Sequence, residues 1–201
     1  MKKSVVSSCI LAGCLAAAPA FGYEAGDLLV RAGFHTVDPK SDNGDIVEVD
    51  DDTRPTVDIT YMFSPNWGVE LLAAVPFEHD VRLADGGDKV ATVKHLPPTV
   101  SLLYHFLPDA PVKPYVGLGL NVTFFFDEDT RGALDGADLE LDTSVGPAAV
   151  AGVDIDLGSR WFLNANVRYL DIDTDAELDG AKLEKVEIDP FAFGVSVGYR
   201  F

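Results

Sequence analysis

Pro190-Phe-Ala-Phe-Gly-Val-Ser-Val-Gly-Tyr-Arg-Phe201, the last twelve residues of the chain, decides the fold. Alternate side chains of an extended strand project to opposite faces. Phe191, Phe193, Val195, Val197, Tyr199 and Phe201 therefore share one face, and Ala192, Gly194, Ser196, Gly198 and Arg200 the other. Bulky apolar groups on one side and small or polar ones on the other suit a barrel wall. Its outer solvent is lipid and its interior is narrow.

The same alternation recurs upstream. Leu28, Val30, Ala32 and Phe34 oppose Leu29, Arg31, Gly33 and His35. Trp67, Val69, Leu71 and Ala73 oppose Gly68, Glu70, Leu72 and Ala74, and Trp161 to Leu170 repeats the pattern. Segments 53–63, 96–106 and 113–126 follow it too, whereas the small residues of 143–155 leave the in/out phase open. We expect an all-β protein, a closed eight-stranded antiparallel transmembrane barrel. Its strands lie near 23–37, 53–63, 67–78, 96–106, 113–126, 143–155, 160–171 and 186–201. Each has about the 9–11 residues that cross a bilayer at a tilt.

Connections alternate between short turns and the long segments 38–52, 78–94, 127–142 and 171–187. Short periplasmic turns and long extracellular loops are the outer-membrane rule, which predicts that both termini are periplasmic.

The first 22 residues read as an export signal preceding a single barrel domain, 23–201. Lys2 and Lys3 lead an apolar stretch that ends in the small-x-small site Ala20-Phe21-Gly22. Leu11-Ala12-Gly13-Cys14 also fits a lipoprotein signal with Cys14 lipidated. Cleavage after Gly22 removes both cysteines, Cys9 and Cys14, and with them any thiolate chemistry.

The net charge of −18 becomes −20 without Lys2 and Lys3, which argues against nucleic acid as a partner. Of 33 acidic residues, 25 sit in the four long segments. They read as a solvated rim, or as a surface that binds divalent cations and bridges to lipopolysaccharide. Asp171-Ile-Asp173-Thr-Asp175 opens like a calcium loop, but Ala176 replaces the turn glycine and Lys182 the closing glutamate. We expect no metal and no cofactor.

Ser101, His105 and Glu70 form a nominal Ser/His/acid set. Four residues along a strand span roughly 13 Å, too far for a hydrogen bond, so no enzyme is expected. His35, His79 and His95 are scattered and lack ligand spacing. An eight-stranded interior is just wide enough for side chains to fill. Charges there must pair, so Arg31, Asp58, Glu70, His105, Asn164, Arg168 and Arg200, with Asn121 and Asn166, are expected to form a polar plug. Leu72, Ala74, Leu103, Phe125 and Leu170 are expected to line an apolar lumen above it, suited to small hydrophobic solutes. Pro97-Pro98 removes two ladder donors. The pair either simply begins a strand or weakens the wall into a lateral opening.

The chain resembles the OmpW family of outer-membrane proteins. The stretches that carry the resemblance include Tyr23-Glu-Ala-Gly-Asp27, Gly68-Val-Glu-Leu-Leu-Ala-Ala-Val-Pro-Phe77 and Ala91-Thr-Val-Lys-His-Leu-Pro-Pro-Thr99. Pro114-Tyr-Val-Gly-Leu-Gly119, Tyr169-Leu-Asp-Ile-Asp-Thr174 and the ending Gly198-Tyr-Arg-Phe201 complete them. The resemblance implies an eight-stranded barrel with a narrow hydrophobic channel, uptake of small apolar compounds, and roles in colicin and phage reception and stress responses. Where relatives can place a tryptophan in the channel, within the segment matching 142–146, this chain has Val145, which is thereby added to the expected lumen. The aromatic ending resembles that of outer-membrane barrels generally, and implies recognition by the barrel-assembly machinery through Phe201. Two functions stay open. One is a channel or pocket for apolar molecules with lateral release. The other is a non-transporting barrel whose acidic loops act as a receptor, adhesion or envelope-stabilising surface.

Overall fold

The computed structural model describes residues 22–40, 47–83 and 87–201. All but the last residue of the expected signal, and both cysteines, lie outside the described residues. The strands, in chain order, are β1 (Leu28–Asp38), β2 (Val47–Val49), β3 (Asp52–Met62), β4 (Trp67–Ala74), β5 (Phe77–Leu83), β6 (Lys89–Leu96) and β7 (Thr99–His105). They continue with β8 (Val112–Thr130), β9 (Leu139–Leu141), β10 (Ser144–Gly158), β11 (Trp161–Leu170), β12 (Asp173–Leu178), β13 (Ala181–Glu187) and β14 (Phe191–Arg200).

Eight of them close an antiparallel ring in the order β1-β3-β4-β7-β8-β10-β11-β14, with β14 pairing back onto β1 from Leu29↔Arg200 to Asp38↔Phe191. Closure leaves no sheet edge in the wall, as lipid demands. Phe193 (51% exposed) and Val195 (66%) face out from β14, while Ala192, Gly194, Ser196 and Gly198 face in. The small inward residues make room for their neighbours' bulk. A Cβ at Gly198 would overlap the Phe162 ring, and one at Gly194 the His35 ring. The outer face carries an aromatic girdle at one end of the ring. Trp67 meets Tyr104 edge-on at 4.9 Å, Trp161 meets Tyr199 at 4.9 Å, and Tyr199 meets Phe201 at 4.8 Å. Residues 22 and 201 and the short turns lie at this end, the terminal end below.

The opposite, far end departs from expectation. Much of the described part of the segments read as long loops is strand, above all in 78–94 and 171–187. β8 runs for 19 residues, twice what a bilayer crossing needs, and its upper part pairs with β6 from Leu96↔Phe124 to Ala91↔Thr130. β6 pairs with β5, and β5 with β2. A separate sheet, β13-β12-β9, stands over the ring. Asp171-Ile-Asp173-Thr-Asp175 runs into β12, where Asp173 pairs with Lys185 at 2.5 Å.

Candidate functional site: a charged belt and an apolar chamber

Arg31 on β1 reaches across the lumen to Asp154 on β10, with Nη2 2.8 Å from Oδ2. Its Nη1 donates to Thr60 Oγ1 at 2.8 Å and approaches Glu70 at 3.5 Å. Glu70 also accepts from Arg168 at 2.7 Å, and Arg168 lies 3.3 Å from Asp58. One carboxylate thus links two guanidinium groups. Asn164 and the Tyr23 hydroxyl each donate to Asp154 at 2.8 Å, and His105 Nε2 lies 3.6 Å from it. Below the belt, Tyr23 packs with Leu29, Met62 and Phe162 and seals the terminal end. Charges removed from water are tolerated here because their partners are numerous and close.

The structure thus brings Arg31, Asp58, Glu70, His105, Asn164 and Arg168 together. Arg200 is a correction. It sits at the terminal rim, donating to the Gly22 carbonyl and 3.5 Å from Asp27. As the last residue of β14, it lies below the belt and reaches the polar rim instead. Sequence reasoning missed Asp154, the hub of the belt, and Tyr115 and Lys113 beside it, both buried. One signal was available for Asp154: a carboxylate within a lipid-facing wall must point inward.

The period of two from Asp154 also fixes the rest of β10. Ser144, Gly146, Ala148 and Val150 face in, and Val145, 62% exposed, faces out. Val145 therefore does not line the lumen, and the inward residues of that segment are Ser144 and Gly146. Leu103 is a second correction. It is fully buried but packs against Tyr115 and Val150, between Ser101 and His105 on β7, at belt level rather than above it.

Above the belt the lumen becomes apolar in two clusters. Ala74 packs on Val37, Phe77 and Ala192. Leu170 packs with Ala148 and Ile172, against which Phe125 and Ile188 rest. Leu72 is buried near Ala74 on β4. Phe125 and Ile188 also belong to the floor of a larger chamber, with a cavity of about 150 Å³. Val81, Val90, Val93, Leu139, Ala176 and Leu178 supply much of its wall, from β5 and β6 on one side and β9 and β12 on the other. Of the six residues expected to line an apolar lumen, Phe125 alone borders this cavity. The cavity lies higher because the supposed loops supply its walls.

Two histidines expected to be scattered meet there. The His79 and His95 rings stack 4.9 Å apart with planes 13° from parallel, and Phe77 stacks on His95 at 5.5 Å. Burial pushes both imidazoles below their ordinary pKa, His95 to about 3, so both are neutral near pH 7. His35 is elsewhere, between Thr56 (2.7 Å) and Asn166 (3.0 Å) just above the belt.

Pro97 and Pro98 separate β6 from β7. On the β8 side pairing carries on past them, with Val122 N donating to the Pro98 carbonyl at 3.0 Å and Asn121 Nδ2 to that of Pro97 at 3.2 Å. On the other side the ladder stops at Leu72↔Thr99 and resumes at Phe77↔His95. Residues 73–76 therefore confront 96–98, four against three, with prolines in both stretches. The irregularity follows from the missing N–H groups.

This architecture has close counterparts. The model of the OmpW family matches residues 24–201. The chain belongs to the OmpW family. It is 41% identical to outer membrane protein W of Escherichia coli strain K12, over the whole of both chains. The crystal structure of the outer membrane protein OprG from Pseudomonas aeruginosa superposes with a TM-score of 0.81 at 38% identity, covering 90% of this chain and 98% of that one. A more distant relative is the dibenzothiophene metabolism operon protein PahQ of Pseudomonas aeruginosa. It is 26% identical, with 79% of this chain and 76% of that protein covered. The protein is thus an outer-membrane barrel, with its apolar belt in lipid.

Proposed function

We propose that this OmpW-family barrel takes up small apolar molecules from outside the cell, holding them in the far-end chamber and releasing them sideways into the membrane. The observation that carries the reading is the chamber itself, a cavity of about 150 Å³ walled by valine, leucine and aromatic side chains and set above a buried ionic belt. An apolar cavity of that order holds a benzene-sized molecule, and each Å² taken from water contributes roughly 25 cal/mol. PahQ is named for the metabolism of dibenzothiophene, an apolar aromatic, which agrees with a hydrophobic cargo.

The route follows from the belt. A molecule continuing down the lumen would have to displace Arg31, Glu70, Asp154 and Arg168 from one another, leaving buried charges unpaired. The gap in pairing between residues 73–76 and 96–98 lies above the belt, with Ala73 and Val75 already facing outward. Departure through it exchanges one apolar environment for another. In this reading the far end faces the exterior and the terminal end the periplasm, where the assembly machinery reads Phe201. The acidic outer faces of the far-end strands meet lipopolysaccharide and its cations.

The test is uptake of toluene by cells that depend on this protein for it. Ala176→Phe fills the chamber, and uptake is expected to fall to the level of cells lacking the barrel. Pro97→Thr with Pro98→Val restores the ladder donors, and is expected to slow uptake while purified protein still binds toluene. Normal uptake in the filled variant refutes the chamber. Normal uptake in the proline variant refutes the lateral route alone.

A further inference from the structure

The chamber wall is almost wholly hydrocarbon; its polar side chains are Thr174, whose hydroxyl donates to the Asp142 carbonyl at 2.7 Å, and the histidine pair. His79 Nδ1 lies 2.6 Å from the backbone carbonyl of Asp50. A carbonyl only accepts, so Nδ1 carries the hydrogen. In a neutral imidazole that leaves Nε2 as a bare acceptor. The ring is neutral because burial lowers its affinity for a proton. His79 is 5% exposed and borders the cavity, and its Nε2, like that of the adjoining His95, is buried with no hydrogen-bond partner among the described residues. Buried acceptors are ordinarily satisfied, and one left unmet is costly.

Shape adds a second constraint. On the chamber wall the His79 and His95 rings lie within 13° of parallel, and Phe125 closes the same side at 6.0 Å from His95. A flat ring stacks on such a wall better than a branched chain does. The volume admits one ring rather than a fused system.

We infer that the chamber selects single-ring aromatics carrying one hydrogen-bond donor, the phenol class, over equally apolar rings without a donor, and that His79 Nε2 is the acceptor that reads it. The donor meets the orphan acceptor while the ring takes the apolar wall. A ring bearing only an acceptor, such as an aryl methyl ether, leaves Nε2 unmet. This inference rests on the chamber being a binding site for apolar molecules, as proposed above.

The experiment measures dissociation constants of phenol, anisole and toluene for the full-length mature barrel in lipid nanodiscs. The parent and His79→Phe are compared, the variant keeping an aromatic ring while removing the acceptor. In the parent, phenol is expected to bind roughly five- to tenfold tighter than anisole, the ratio one net hydrogen bond supplies. In His79→Phe that advantage disappears while toluene affinity is retained. A second measurement needs only the parent. The ¹⁵N resonance of His79 Nε2 should be that of an unprotonated nitrogen, and should move upfield with phenol but not with anisole. Equal affinity for phenol and anisole in the parent, or a preference that survives in His79→Phe, overturns the inference. Toluene binding without phenol preference overturns it and leaves the apolar chamber standing. Failure of all three ligands to bind removes the chamber reading and this inference together.

Discussion

The two halves of the lumen rest on the same alternation of side chains, yet they solve opposite problems. In the ring, every strand has a fixed neighbour on each side, and the interior is packed with charge. Arg31 and Arg168 are held by three carboxylates within 2.7–3.5 Å. At the far end the ring gives way to two smaller assemblies, β2-β5-β6 with the top of β8, and β9-β12-β13. Their inner faces are apolar, and they leave a space unfilled. A belt of paired charges gains from rigidity, because any loosening strands an ion. A chamber for transient guests gains from walls outside the ladder of the ring. In the proposed reading the closed half supplies the barrier and the open half the site.

The sharpest way to break this division is at the hub of the belt. Asp154→Ala leaves Arg31 without its 2.8 Å partner, and should cost the barrel about 3–5 kcal/mol, read by denaturant unfolding in nanodiscs. Toluene affinity of the fraction that remains folded should be unchanged. A charge placed in the other half should do the reverse. Val93→Asp puts a carboxylate in the chamber wall and should weaken toluene binding by roughly tenfold or more, with the unfolding midpoint of the ring unmoved.

Acid should separate the halves without mutation. His79 and His95 stay neutral when folded because burial lowers their pKa, with His79 beside His95 adding to the effect. Once exposed they titrate near the ordinary 6.5. Above that pH both states are neutral, and the histidines add no pH dependence. As pH falls below about 6.5 the opened state takes up protons that the closed state refuses, down to about 3 for His95, so local stability drops. The slope is at most about 1.4 kcal/mol per pH unit for each histidine. Hydrogen exchange, corrected for intrinsic rates, should show β5 and β6 losing protection over this range before β11 and β14 do. The smallest effect belongs to the seal below the belt. Tyr23→Phe removes one of several donors to Asp154 and should cost about 1 kcal/mol in the same unfolding measurement.

The same division explains what the sequence made legible. β14 and β11 could be read directly, because aromatic and small residues alternate without a break, and the plug residues on β1, β3, β4 and β11 followed from that phase. β10 is a run of small residues whose alternation is faint, so Asp154 went unrecognised and the inward placing of Val145, taken from the family resemblance, met no local check. The parity of a single inward carboxylate would have corrected both. The chamber was hidden for a different reason. Asp173, Asp175 and Glu177 alternate with Thr174, Ala176 and Leu178, and counting the acids alone made a strand with one apolar face resemble a solvated loop. His79 and His95 belong to partner strands whose register depends on the kink at residues 75–76 and 97–98, which no local pattern specifies.

The central claim is that apolar molecules occupy the far-end chamber and stop above the belt. It is tested most directly by methyl NMR of the barrel in lipid during titration with toluene. Methyl resonances of Val81, Val90, Val93 and Leu178 should shift in a saturable way, while those of Leu29, Leu103 and Val150 around the belt stay still. Saturable shifts at Leu103 and Val150, or none at the chamber valines, would contradict the account.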